Sequence, residues 1–216
     1  VLANDYKGRV TATTIVNPDC DQCFDLTDFV NALGSIVVIS STETINLDAA
    51  TEQIEQYNIT ELPAVILSGD LDLYPDVLLN LEQLGTDVGD DLVITAKKNP
   101  PYWDTEEETV RGLVTVTYLT DDSCATCYNI NVHKTVLENY GVTLAAEETI
   151  DISTTEGQSL LETYNITKVP TIILSPDLVY YDQLAAIWDQ VGTVEEDGSY
   201  VFRELDAVSE NYQTLE

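Results

Sequence analysis

The twelve residues 57–68, Tyr-Asn-Ile-Thr-Glu-Leu-Pro-Ala-Val-Ile-Leu-Ser, return 107 residues later as Tyr-Asn-Ile-Thr-Lys-Val-Pro-Thr-Ile-Ile-Leu-Ser at 164–175. Each copy reads as the end of a helix, a turn closed by a proline, and an apolar run of branched residues suited to a buried strand. Upstream of each copy stands a pair of cysteines two residues apart, Cys20/Cys23 and Cys124/Cys127, and these are the only cysteines in the chain. The same two devices occur twice in the same order, so the 216 residues divide into two units of about 100 residues, a normal domain size.

The units read alike. In the first, Val-Thr-Ala-Thr-Thr-Ile-Val after Arg9 is a strand, dense in β-branched residues. A helix over 20–33, stopped by Gly34, puts the first cysteine pair at a helix N-terminus. A buried strand over 35–40, a helix over 48–57, the proline and its strand, a helix over 75–84 and a strand over 92–96 follow. In the second, a strand over 113–119 leads to a helix from Cys124 to Tyr140, a strand over 142–146, a helix over 157–164, the strand after Pro170, and a helix over 181–191. Asp197-Gly198 between β-forming residues then signals a hairpin. The order predicts an α/β fold with at least part of each sheet parallel. The first domain is read as 1–98, a semi-rigid linker around the double proline as 99–108, and the second domain as 109–216; Tyr102 and Trp103 are expected to pack against a domain.

Eight basic residues against 39 acidic ones give a net charge of −31. This excludes nucleic acid and anionic membrane surfaces as partners, since both would be repelled. The acids are spread along the chain, which suits a solubilising surface of a secreted protein, adaptation to high salt, or a weak sink for divalent cations. No apolar run approaches the length of a membrane span. Val1-Leu2-Ala3 before Asn4-Asp5 resembles the small-x-small tail of a signal peptide. With the acidity, this leads us to expect an extracytoplasmic protein.

A cysteine pair at a helix start makes a small disulfide ring. The helix dipole and backbone N–H groups would favour the first thiolate, making Cys20 and Cys124 the nucleophiles and Cys23 and Cys127 the resolving thiols. Here the chain resembles the thioredoxin-like superfamily, and more narrowly protein disulfide oxidoreductases with two such units in tandem. The resemblance rests on a strand, a CxxC, a strand, a helix, and an apolar residue followed by proline about 40 residues after the CxxC. It implies two tandem thioredoxin-like domains, each a central mixed sheet flanked by helices. It further implies cis prolines at Pro63 and Pro170 beside the cysteines, with Leu62 and Val169 pairing to an extended substrate. Protein thiols or disulfides and a redox partner protein are then the expected partners, and no cofactor or metal is required.

The chain departs from that pattern in places. No tryptophan precedes either CxxC; Thr14 and Tyr118 occupy the place of a buried aspartate; strands follow the last helix instead of preceding it; and Asp19, Asp21, Asp25, Asp121 and Asp122 oppose thiolate formation. Other uses of the cysteines remain open: inert staples at each helix start, or zinc ligands, although some 100 residues separate the pairs. Haem attachment is excluded, because Phe24 and Tyr128 stand where histidine is needed. His133, the only histidine, is read as a half-exposed structural residue. The Asn-Ile-Thr triplets match a glycosylation acceptor in form and serve better as turn residues. The alternative function is a non-catalytic acidic tandem protein for interaction, assembly, self-association or divalent-cation binding.

Overall fold

The computed structural model describes residues 8–215, so the signal-like Val1-Leu2-Ala3 lies outside the described residues. The chain separates into two compact units, residues 1–111 and 112–216.

The first unit runs β1 (Arg9–Val16), α1 (Thr27–Leu33), β2 (Val38–Asn46), α2 (Thr51–Tyr57), β3 (Glu61–Leu62), β4 (Ala64–Gly69), α3 (Pro75–Leu81), β5 (Thr86–Val88), β6 (Asp91–Thr95), β7 (Tyr102–Asp104) and β8 (Thr109–Arg111). Its main sheet has the order β2-β1-β4-β6-β5, with β1 and β2 parallel and the other neighbours antiparallel. Alternation sorts the strand residues onto two faces. Val10, Ala12, Val65, Leu67, Leu92 and Ile94 meet α1 and α3 on one side, whereas Ile15, Ala64, Ile66 and Val93 meet Ile54 and Tyr57 of α2 on the other. The result is three layers, helix on sheet on helix.

The second unit repeats this with β9 (Leu113–Thr120), α4 (Val132–Asn139), β10 (Thr143–Asp151), α5 (Thr155–Thr163), β11 (Lys168–Val169), β12 (Thr171–Leu174), α6 (Asp182–Ile187), β13 (Gly192–Val194), β14 (Tyr200–Phe202) and β15 (Gln213–Thr214). The order β10-β9-β12-β14-β13 reproduces the first sheet strand for strand. Val114, Val116, Ile172 and Leu174 face α4 and α6, while Leu119, Ile173 and Val201 face α5.

The repeated stretch does the same local work in both units. Asn58 and Asn165 end α2 and α5 with φ of 50°, a left-handed conformation that asparagine tolerates. The next N–H reaches back around the turn, Ile59 to the Ile54 carbonyl at 3.0 Å and Ile166 to the Leu161 carbonyl at 2.9 Å. Each proline then separates a two-residue strand from a central one.

Three expectations change. The strand expected to be buried over 35–40 is the edge strand β2, which starts at Val38 and is mostly exposed. The helices after the cysteine pairs start later than the apolar spacing suggests, at Thr27 and Val132. The segment read as a linker carries β7, and with β8 it forms a three-stranded sheet on β3 in the order β3-β7-β8. Tyr102 is buried and its neighbour Trp103 packs against the core. The double proline does not extend the chain away from the domain: both prolines are buried, and Pro101 accepts the Phe24 N–H.

Candidate redox sites

In each unit the first strand runs out of the sheet into an Asx turn and then the cysteine pair. Asp19 N–H donates to Asn17 Oδ1 at 3.0 Å and Cys20 N–H to the Asn17 carbonyl at 3.2 Å. In the second unit Ser123 N–H donates to Asp121 Oδ1 at 2.9 Å and Cys124 N–H to the Asp121 carbonyl at 3.0 Å. Cys20–Cys23 and Cys124–Cys127 are disulfides with Cα atoms 5.4 and 5.5 Å apart, and all four cysteines are half-buried.

Neither pair opens a helix. A helix starting at the first cysteine would need the N–H of Phe24 and Tyr128. Those groups donate elsewhere, to the Pro101 carbonyl at 2.7 Å and the Asn211 carbonyl at 2.8 Å. Downstream, Asp25 Oδ1 takes the Thr27 N–H and Asn129 Oδ1 takes the Asn131 N–H, so side chains compete with the first helical turn. Helix-dipole stabilisation of the thiolates, expected from sequence, is therefore lost. Acids remain around the sulfurs: hydrogen bonds from Thr27 hold the Asp25 carboxyl below its usual range, and those from Ser153 and the Asp122 backbone do the same for Asp151.

The peptide bonds Leu62-Pro63 and Val169-Pro170 are cis. Cys20, Cys23, Pro63, Thr14 and Glu43 line one cleft of about 410 Å³ in the first unit. In the second, Cys127 Sγ lies 3.9 Å from the Val169 carbonyl. Leu62 and Val169, proposed from the resemblance to pair with substrate, are fully buried and already paired with the chain itself. Leu62 faces Trp103 of β7 and Val169 faces Gln213 of β15. Two register steps away, Thr105 N–H donates to the Thr60 carbonyl at 2.9 Å and Leu215 N–H to the Thr167 carbonyl at 2.8 Å. Antiparallel rungs alternate, so Leu62–Trp103 and Val169–Gln213 also fall on hydrogen-bonding rungs.

The two sites differ in side chains. Tyr128 OH donates to the Pro170 carbonyl at 2.8 Å, which leaves His133 Nε2, also 2.8 Å away, to act as the donor to that hydroxyl. His133 is buried, not half-exposed, and packs edge-on against Phe202; burial lowers its pKa to about 4 and raises that of Tyr128. The first unit has Phe24 and Phe29 at these positions. Where Thr14 lines the first cleft, the buried Tyr118 fills the second unit, its hydroxyl donating to Glu147 Oε2 at 3.0 Å and its pKa pushed up to about 12, chiefly by burial. Tyr128 as a site residue, the pairing of 101–105 with β3 and the whole segment 211–215 escaped the sequence reading, although the packing of Tyr102 and Trp103 against a domain was expected and is found. Aligning the units on their cysteines would have set Tyr128 beside Phe24, but nothing local marks the two segments. Among the described residues no group of three or more His, Cys, Asp or Glu side chains is placed to hold a metal ion.

No protein-family model and no curated protein matches the chain. Among solved structures it is similar to the NTD_N/C domain of alkylhydroperoxide reductase AhpF from Enterococcus faecalis, with 16% identity over 78% of this chain and 82% of that one and a TM-score of 0.26. It is similar also to the C503A mutant of the AhpF subunit from the same organism, with 17% identity over 77% and 81% and the same TM-score. At such scores these likenesses carry no argument. The fold rests on the chain's own topology: two thioredoxin-like units in tandem, each setting a CxxC disulfide against a cis proline that opens a central strand.

Proposed function

We infer that the chain is a thiol–disulfide oxidoreductase working through Cys20–Cys23 and Cys124–Cys127 on thiols or disulfides of other proteins. The observation that carries this is the placement of each half-buried disulfide beside the proline that opens the central strand, with Cys127 Sγ against the Val169 carbonyl. In the oxidising direction a substrate thiolate attacks Sγ of Cys20 or Cys124, the disulfide breaks, and Cys23 or Cys127 leaves as thiolate. The second substrate thiolate attacks the substrate sulfur of that mixed disulfide and expels Cys20 or Cys124. Two electrons pass from substrate to the pair, and the two thiol protons end on its cysteines. The reducing direction reverses these steps, and turnover needs a redox partner protein to reset the pair. An extracytoplasmic site of action is part of this proposal and rests on the acidity of the chain.

One observation favours a second reading, a tandem-fold protein without turnover: both pairs lack a helix N-terminus and sit among acids, which together disfavour a reactive thiolate. A redox titration with mass-resolved alkylation of each pair separates the two. Reversible titration between about −120 and −270 mV identifies an oxidoreductase, whereas pairs that stay oxidised below about −300 mV are structural staples.

A further inference from the structure

Each unit carries a strap that takes the same three places beside its disulfide. In the first unit, residues 101–105 accept the Phe24 N–H, pair with Leu62 and donate to Thr60; in the second, residues 211–215 accept the Tyr128 N–H, pair with Val169 and donate to Thr167. These bonds cover the backbone edge that precedes each cis proline, the edge an extended polypeptide would need if it were to add as a strand. The straps differ in how they are held. In the first unit β7 lies between β3 and β8, with Tyr102 buried and Arg111 Nε 3.4 Å from Asp104 Oδ2. Among the described residues β15 pairs with β11 alone, and Gln213 and Thr214 are exposed. Tyr212 and Leu215 are half-buried against the core; the strap's other ties lie on the surface, where Lys168 Nζ lies 3.1 Å from Asp206 Oδ2 and 4.6 Å above the Tyr212 ring, and Tyr212 OH donates to Asp206 Oδ1 at 2.8 Å. Exposed ties of this kind contribute little and yield readily.

We propose that residues 211–215 are a displaceable internal occupant of the peptide-pairing edge at the second disulfide, which shields it from extended polypeptide while leaving it open to small thiols, whereas residues 101–105 close the same edge at the first disulfide permanently. This rests on the oxidoreductase reading. An approaching peptide dithiol must first replace the strap on Thr167 and Val169. Its thiolate then attacks Cys124 Sγ and releases Cys127 as thiolate, and its second thiolate closes the peptide disulfide and expels Cys124. Two electrons pass to the pair, and the peptide's two thiol protons end on Cys124 and Cys127.

The test compares the full chain with Gln213→Pro, which removes the N–H on the Val169 rung, and with a chain ended after Glu210. Trp188 fluorescence checks that each remains folded. Reduction of each disulfide is followed by mass-resolved alkylation with two reductants, dithiothreitol and a reduced, non-acidic two-cysteine decapeptide. A site occupied nine-tenths of the time reacts through its open fraction, so freeing the edge should speed the peptide reaction at Cys124–Cys127 about tenfold. The dithiothreitol rate, and both rates at Cys20–Cys23, should not change. Equal acceleration by peptide and dithiothreitol would show that the strap only buries the sulfurs, and an unchanged peptide rate would show that it does not block the edge; either overturns the proposal and leaves the oxidoreductase reading intact. Disulfides inert to both reductants in all three proteins would end both.

Discussion

Because His133 is the only histidine, the second unit should lose stability in mild acid while the first does not. Its folded pKa is about 4 against an ordinary value of 6.5, the cause being burial. Above pH 6.5 the imidazole is neutral in both states and contributes no pH dependence. As pH falls towards 4 the unfolded chain takes up a proton that the folded unit refuses, so the unfolded state binds more protons and stability falls with pH. Integrated over the two titrations, the loss from pH 7 to pH 5 is about 2 kcal/mol. The carboxyls held low in this unit, Asp151, Asp197 and Asp206 with ordinary values of 3.8 and Glu147 with one of 4.5, lose their stabilisation mainly below pH 5. The two tryptophans fall one to a unit, and Trp188 is buried beside Tyr200, so a Trp103→Phe background reports the second unit alone. Urea unfolding followed by Trp188 should lose about 1 M in midpoint between pH 7 and pH 5. His133→Phe, which installs the residue type found at Phe29, should remove the dependence. A midpoint that stays fixed in the parent, or one that moves equally in His133→Phe, would refute the reasoning.

Tyr128→Phe leaves the Pro170 carbonyl without its donor and His133 Nε2–H without its acceptor, and should cost the second unit about 2–4 kcal/mol by the same Trp188 assay. A Cβ at Gly85 would stand 2.5 Å from the Val93 carbonyl oxygen, and one at Gly192 would stand 2.2 Å from that of Val201 and 2.7 Å from Trp188 Nε1. Gly85→Ala and Gly192→Ala should each cost about 1–3 kcal/mol, each read through the tryptophan of its own unit.

The doubled CxxC and proline made the tandem fold legible, because each device has a fixed place in the chain order and β-branched or unbroken apolar runs marked the central strands β1, β4, β9 and β12. The helix starts were not legible, since what delays them is in good part non-local: the Phe24 and Tyr128 N–H groups go to carbonyls at Pro101 and Asn211, far along the chain, and the local competition from Asp25 and Asn129 only adds to this. The straps left no period to detect, since β7 has three residues and β15 two. The double proline, whose backbone lacks N–H donors, pointed to a linker. In the structure Pro101 serves as an acceptor, a role proline retains in full. His133 was misjudged because its partner, Tyr128, lies outside the helix that carries it.

The repeated stretch now has a physical reason to stay alike in both units, since nearly every residue in it has backbone work. Its asparagine ends a helix, its threonine carbonyl accepts from the strap, the residue before the proline pairs with the strap, and the four after the proline fill the centre of the sheet. The backbone frame around both disulfides is therefore the same, and any difference in their chemistry must come from the side chains around it. Those differ at Thr14 and Tyr118, Phe24 and Tyr128, and Phe29 and His133, and all three exchanges replace a position in the first unit with a larger or more polar group buried or half-buried in the second. The first disulfide thus borders an open cleft behind a fixed strap, whereas the second borders a filled core under a loosely tied one. Small thiols have their easier approach at Cys20–Cys23, and an extended chain that competes with residues 211–215 has its only displaceable edge, among the described residues, at Cys124–Cys127.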